Sequence, residues 1–579
     1  MMSMPLPKSS ISPPPNRGTS KQGIAVPLLK TAGLIAAITL LSKVTGAVRD
    51  WQIMHFYGAG DATDAYFAAF QLPSFALILL GGLGGPFHTA TVSLYQRWKN
   101  ELGEPEARSR IGSFLTLTHW LFLALSIAVF VAAKPIVSCM LGNPRLVPIA
   151  TYHLQVMSPI LWLGGVVGIL YAWGHLHQRF FWPSFAPALV NLALIISLYV
   201  FPTDAQGNIL AWTTTLGAAL QVLAQLPDAF KDNLPFRANL PEEHKAQWWH
   251  PQGPFGMLWG LLLPAMVGTT IGQLITYVDI AFATSLPSGS WAALTLANRL
   301  MQLPIGVLQT ALLVPLFPQL AEAASQGSAS FTTITRLARQ GIVGLWMLCL
   351  PVLLVVWFDA EHLIRLVFQR GAFDAQDTLV VTTAVVFQAF QMIPYFARDT
   401  FVRVCYAFQN AKTPLLIGCI AIGLKWLLNG WLSQASFLGI KGLALGVGGI
   451  AFATSAITWL NMTLLSMTLQ RQHMPSWSFW NTLGKPFIQL LPAIGVMGGW
   501  LYLIHHRPIT TLFGVSLHTH EPLSMNAWIL LVGAWGIGIM LYATVIHYSK
   551  LEEWQWVMTK LRTRFPQIRG LTGKKGDSS

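Results

Sequence analysis

Ten ionisable side chains lie inside or at the edges of long apolar runs in this 579-residue chain, and their types favour holding an anion over making bonds. They are Lys43, Arg49, Asp50, Asp64, Asp279, Arg299, Arg398, Asp399, Arg403 and Lys425. Placing Arg, Lys or Asp at the centre of a membrane helix costs at least ~2.5–3.5 kcal/mol, so such residues face a partner or a watery cavity. Six of the ten are cations and four are anions. An anionic substrate entering a central chamber would supply the missing counter-charge. Arginine suits phosphate, because its planar fork gives bidentate, charge-assisted hydrogen bonds.

Read singly, the residues differ. Arg299 is well inside the apolar stretch from Trp291 to Leu313, so a cavity or a buried partner is expected there. Lys425 and Asn429 are four apart and share a helix face. Asp279 is the only acid deep in any apolar run, which suggests a Lys425–Asp279 pair; the other reading is a lysine facing a watery cavity alone. Arg49 and Asp50 are near the end of their run and could instead snorkel to the interface. Asp64 follows Asp61 by three residues, which also reads as a helix N-cap followed by a capping-box acid. Arg398 and Asp399 are adjacent, so they point in different directions and need not pair.

Other chemistries find little support. His175 with His177, and His505 with His506, lie at loop edges without a third ligand, so no metal site is expected. No G-x-x-x-x-G-K-[ST], G-x-S-x-G or H-E-x-x-H sequence occurs. Cys139, Cys349, Cys405 and Cys419 stand singly and read as packed thiols.

The elements that position these residues follow from composition. Only 10% of residues are charged and 53% are hydrophobic, whereas a soluble domain carries about 25% charge. Apolar runs of 18 or more residues recur from Leu28 to Tyr548, each long enough for a bilayer core of about 30 Å. The expected fold is an all-α polytopic membrane protein with about 14 spans: 28–56, 63–95, 111–133, 146–174, 180–201, 208–227, 255–285, 290–321, 331–357, 378–410, 413–434, 440–468, 480–504 and 525–548. Lys and Arg in the loops, the tails and the adjoining ends of these spans favour the side holding both termini by 24 to 6, which is expected to make that side cytoplasmic. "AFQLPSFALILL" (69–80) is similar to "LMQLPIGVLQTA" (300–311), a weak repeat suggesting two pseudo-symmetric six-helix lobes, 27–250 and 251–475. Residues 476–548 add two spans, 549–579 form a basic cytoplasmic tail, and the Pro/Ser/Lys-rich 1–26 reads as a disordered cytoplasmic tail without a signal-peptide pattern. Gly81, Gly82, Gly84, Gly85, Pro264, Pro304, Pro315, Pro318 and Pro394 interrupt spans, as expected of a transporter that rocks between two states.

Four segments carry a family resemblance. "LLSKVTGAVRDWQIMHFYGAGDATDAYFAAFQLP" (40–73), "WAALTLANRLMQLPIGVLQTALLVPLFPQLAEA" (291–323), "RLVFQRGAFDAQDT" (365–378) and "FVRVCYAFQNAKTP" (401–414) resemble the MurJ (MviN) family of lipid II flippases, within the MOP superfamily. The resemblance implies alternating-access transport, from inner to outer leaflet of a bacterial plasma membrane, of an undecaprenyl-pyrophosphate-linked peptidoglycan precursor. It also implies a cavity between the lobes with basic residues near the pyrophosphate, and a lipid-tail groove in the last two spans. Arg49 matches the arginine of the family's G-x-x-R-D, Arg299 that of A-D-R-L, and Asp64 the acid of T-D-A-F; Lys43 stands where arginine is usual. Substrate contacts are therefore expected from Lys43, Arg49, Asp64 and Arg299, with Asp50, Asn298, Arg398 and Arg403 as secondary candidates. Membrane potential or a sodium gradient drives family members, with sodium between spans 7 and 11, which marks Asp279, Lys425 and Asn429 as coupling candidates. No cofactor or nucleic acid is implied; membrane lipids and cell-wall synthesis proteins are the partners expected.

The chain also departs from the family pattern. Leu77, Ile78 and Gly82 stand where the family carries a basic pair and an acid, Asn298 replaces the acid of A-D-R, and Lys425 stands where family sodium sites carry a neutral or acidic residue. These departures keep open an exporter of another polyprenyl-pyrophosphate-linked oligosaccharide, or a scaffold that no longer transports. A membrane enzyme fits poorly, because the longest loops, near 228–250 and 505–524, offer only scattered Glu and His.

Overall fold

A computed structural model describes residues 22–80, 86–201, 203–234, 256, 272–326, 331–472, 477–506, 525–549 and 551–564. These residues are almost entirely helical. The helices are α1 (Gln22–Tyr57), α2 (Asp61–Leu80), α3 (Pro86–Leu102), α4 (Glu104–Val131), α5 (Ala133–Met140), α6 (Val147–Met157), α7 (Pro159–Leu176), α8 (Phe181–Val200) and α9 (Asn208–Lys231). Next come α10 (272–283), α11 (Ser290–Leu308), α12 (Val314–Ser325), α13 (Phe331–Phe368), α14 (Ala375–Ala389) and α15 (Met392–Ala407). The last are α16 (Lys412–Ser433), α17 (Gly446–Gln472), α18 (Lys485–His506), α19 (Met525–Tyr548) and α20 (Glu552–Arg564).

Among the described residues ten helical stretches are long and apolar enough to cross a bilayer, or eleven when α14 and α15, bent by 49° at their junction, count as one. The other three expected spans, 28–56, 255–285 and 290–321, are helical where they are described, as α1, α10 and α11–α12, apart from the turn residues 284 and 285. α1 carries Lys43, Arg49 and Asp50, and a π-helical turn at Gln309–Leu313 interrupts α11–α12. Most of 255–285, with Pro264, lies outside the described residues, as do Gly81, Gly82, Gly84 and Gly85.

Three boundaries differ from expectation. The span expected at 63–95 is described as α2 up to Leu80 and as α3 from Pro86, and α3 runs on past the expected end to Leu102, carrying Arg97 and Lys99. The span expected from 440 begins at Gly446, because 436–441 form a two-stranded hairpin with Ser436 opposite Lys441. The polar tail contains the helix α20, whose buried Glu553 accepts an ion pair from Arg339 of α13 at 2.5 Å.

The helices pack as two groups. α1 lies on α8, α8 on α9, and α4 on α7, while α2 packs on α6 and α7. In the second group α16 lies on α17, α11 and α17 pack on α14, and α13 packs on α14 and α15. α18 and α19 pack on each other and on α13. Large apolar side chains such as Leu121, Leu125 and Val131 of α4 stay exposed, as expected of faces solvated by lipid rather than water.

The groups are joined where α1 gives way to α2. The Ala372 amide donates to the His55 carbonyl at 2.8 Å, the Ala59 amide to Asp377 Oδ2 at 3.0 Å, and Ser288 Oγ to Asp61 Oδ1 at 2.6 Å. Gly289 lies at this seam with φ +85°, and a Cβ there would come within 2.1 Å of the Ala59 carbonyl oxygen. Only glycine meets both conditions.

Candidate functional site

The deepest charges of α1 and α11 meet. Arg49 Nε and Nη2 donate to Asp50 Oδ1 at 2.9 and 2.7 Å, and Arg299 from α11 forms an ion pair with the same oxygen. Arg49 Nη1 also donates to Asn191 Oδ1 of α8 at 2.9 Å. The Arg299 guanidinium stacks over the Phe67 ring of α2, 4.8 Å from its centroid, a favourable cation–π placement. Two guanidiniums share one carboxylate, so the Arg49–Asp50–Arg299 cluster keeps one uncompensated positive charge. Adjacent residues of a helix ordinarily point apart; here the length of the Arg49 side chain lets it turn back onto Asp50.

A cavity of about 300 Å³ lies between α1 and the second helix group. Lys43, Asn298, Gln302, Gln309, Gln391 and Tyr395 are among the residues lining it. Lys43 precedes Asp50 by seven residues, so it lies on the same face of α1 about 10.5 Å along the axis. Asn298 immediately precedes Arg299 and accepts from Gln388 Nε2. The π-helical turn after α11 brings Gln309 to Asp399, which also receives Arg403 Nε at 2.9 Å. Arg398 stacks over the Tyr395 ring at 5.0 Å. Of the secondary candidates, Asn298 lines the chamber, Arg398 packs on its wall residue Tyr395, and Arg403 reaches its wall residue Gln309 through Asp399, whereas Arg49 and Arg299 are committed to Asp50. Asp399, adjacent to Arg398, pairs instead with Arg403 one turn later.

Asp64 is not in the chamber. It is buried at the seam, where its Oδ2 accepts the Gly289 amide at 2.8 Å and its Oδ1 the Ala292 amide at 2.7 Å. It therefore caps α11 from α2, rather than its own helix. The first amides of α11 lack carbonyl partners within that helix, and a carboxylate satisfies them well.

The second buried cluster joins α10, α16 and α17. Lys425 Nζ donates to Asp279 Oδ2 at 2.7 Å and to Thr454 Oγ1 at 2.9 Å, and Asn429 Nδ2 donates to Asp279 Oδ1 at 2.9 Å. Lys425 is 1% exposed. Its ammonium lies between an acid and a hydroxyl, and so fills a position a monovalent cation could otherwise hold.

The departures from the family pattern have a structural setting. Leu77 packs against Gly164 of α7, and Ile78 is exposed. Asn191 and Thr454 were not singled out by sequence reasoning, which followed charges. The signal available for Asn191 was a lone amide in the apolar run 180–201. The expectation that His505 lacks further ligands needs correction, because Asp359 and His362 of α13 lie next to it. His175 pairs with His88, 3.0 Å between ring nitrogens.

Comparison with known proteins gives a consistent result. A family model described as "Lipid II flippase MurJ" matches residues 53–520. A relative from Synechocystis sp. named "Probable lipid II flippase MurJ" is 28% identical over 539 residues, covering 88% of this chain and 94% of the relative. "Lipid II flippase MurJ" of Burkholderia cenocepacia is 27% identical over 479 residues, covering 81% and 88%. Among solved structures, "Lipid II flippase MurJ, inward closed conformation" superposes with TM-score 0.69 at 19% identity, covering 89% of this chain and 99% of that one. An inward-facing MATE family transporter of the MOP superfamily superposes with TM-score 0.55 at 14% identity, covering 76% and 99%. At these identities the two structures show a shared fold.

Proposed function

This chain belongs to the lipid II flippase MurJ family, and from that premise we propose that it carries lipid II from the inner to the outer leaflet of the bacterial inner membrane by alternating access. One observation carries the reading: a polar chamber between two helix groups is lined by Lys43 and by Asn298, and the cation-rich cluster Arg49–Asp50–Arg299 lies next along the same two helices, seven residues from Lys43 and one from Asn298. A pyrophosphate entering the chamber would compete with Asp50 for the two guanidiniums, and Lys43 would meet its outer oxygens. The isoprenoid tail would stay in lipid, along α18 and α19. The bias of Lys and Arg toward one side supports a cytoplasmic position for both termini.

Coupling follows from the second cluster. The Lys425 ammonium occupies the Asp279–Asn429–Thr454 site as a fixed cation. Transport then draws on membrane potential, which changes the energy of a charge crossing the field by ~2.3 kcal/mol per 100 mV, and needs no sodium gradient.

A second reading, export of another polyprenyl-pyrophosphate-linked oligosaccharide, is favoured by the apolar Leu77 and Ile78 in place of a basic pair. Complementation separates the two. Cells depleted of their own lipid II flippase should grow when this chain is expressed, and growth should be lost with Arg299→Ala at equal membrane abundance. Failure of the wild-type chain to rescue despite good expression would favour the other substrate.

A further inference from the structure

One carboxylate and two imidazoles meet away from the chamber, where α13 contacts the α18–α19 pair. The ligand atoms of Asp359, His362 and His505 all lie within 4.8 Å of one another. Asp359 is completely buried. His505 Nε2 is 3.0 Å from Asp359 Oδ1, and His362 Nδ1 is 3.5 Å from the same oxygen. Asp359 and His362 are three apart on one helix and so share a face, while His505 comes from a helix 146 residues further along.

The surrounding hydrogen bonds fix how these groups present themselves. His505 Nδ1 lies 2.9 Å from the Leu501 carbonyl oxygen. A carbonyl can only accept, so Nδ1 carries a hydrogen and Nε2 is the nitrogen turned toward the carboxylate. Trp535 Nε1 of α19 donates to Asp359 Oδ2 at 2.8 Å, leaving Oδ1 as the oxygen aimed at both imidazoles. A histidine held through one nitrogen by a carbonyl, beside a carboxylate oriented by an N–H donor, is how proteins prepare metal ligands. With Nδ1 protonated, a neutral His505 directs its Nε2 lone pair at an anionic oxygen, and a cation between them turns that repulsion into coordination.

We propose that Asp359, His362 and His505 form a binding site for a divalent transition-metal ion of zinc type. Two nitrogens and one oxygen, with water as the fourth ligand, match zinc's preference. Tetrahedral zinc with bonds of about 2.1 Å holds its ligand atoms about 3.4 Å apart, and the 3.0 and 3.5 Å separations here bracket that value. Rotation of the imidazoles closes the remaining gap. The ion would cross-link α13 to α18 and staple the two C-terminal spans to the second helix group.

The test uses the full chain, purified in detergent without a histidine tag and stripped with chelator. Equilibrium dialysis against zinc should give one ion per chain, with affinity reduced at least tenfold in His505→Gln and in His362→Gln. Cobalt should produce visible ligand-field bands in the wild type that are lost in His505→Gln, with monodispersity on size exclusion as the folding control. No stoichiometric zinc and no cobalt bands in the wild type would overturn the proposal and leave an imidazolium–carboxylate ion pair. Undiminished affinity in both variants would overturn it as well.

Discussion

Breaking the Lys425–Asp279 pair from one side should destabilise the protein far more than removing both partners. Lys425 is 1% exposed, with its ammonium held by Asp279 and Thr454 and with Asn429 donating to the acid's other oxygen. Asp279→Asn preserves shape but leaves a buried charge without its counter-ion, which costs about 3–5 kcal/mol. Lys425→Met strands the carboxylate, with Asn429 as its remaining hydrogen-bond donor among these residues, at a similar cost. The double variant Lys425→Met with Asp279→Leu removes both charges, and its main penalty is the lost acceptor for Asn429, about 1–3 kcal/mol. The two sites should therefore show a coupling energy of about 3 kcal/mol or more in a double-mutant cycle. Unfolding of the purified chain by SDS titration in mixed micelles reads each value. Single variants that lose no more than about 1 kcal/mol, as an exposed ion pair would, or a double variant no better than the worse single, would refute the reasoning.

Three further outcomes are expected. Asp64→Ala removes the cap on α11 and should cost about 0.5–2 kcal/mol of stability in the same titration; an unchanged midpoint would mean that the two amides find other partners. Gly289→Ala combines a positive φ, worth about 1–2 kcal/mol of strain, with a Cβ 2.1 Å from the Ala59 carbonyl oxygen. It should be the more damaging of the two, and equal stability would contradict the seam as described. Lys43→Gln should leave the unfolding midpoint unchanged, because Lys43 is exposed beside the chamber, yet it should weaken growth rescue; full rescue at low expression would remove Lys43 from the substrate path.

What the sequence made legible follows charge. Lys425 and Asp279 stand out because an ionised group in an apolar run needs a partner and Asp279 is the acid placed deep within an expected span. Arg299 stands out for the same reason, although the number of guanidiniums sharing Asp50 could not be read from spacing. The partners of Asp64, the amides of Gly289 and Ala292, were not legible because they belong to a helix 225 residues further on, and backbone amides carry no sequence signature. Asn191 went unnoticed because a neutral amide in an apolar run is a weaker signal than a charge. The helices themselves were plain from hydropathy. Their breaks were less so: the π-helical turn after α11 and the bend between α14 and α15 depend on packing against neighbours as well as on Gly and Pro.

The central claim is that the guanidiniums of Arg49 and Arg299 hold a pyrophosphate, and direct binding of undecaprenyl pyrophosphate to the purified chain tests it. Native mass spectrometry in detergent should show a one-to-one complex that excess inorganic pyrophosphate weakens and that Arg299→Gln and Arg49→Gln each reduce at least tenfold, about 1.4 kcal/mol, while undecaprenol lacking phosphate binds all three proteins alike. Equal retention of the pyrophosphate lipid by the wild type and both variants would contradict the account.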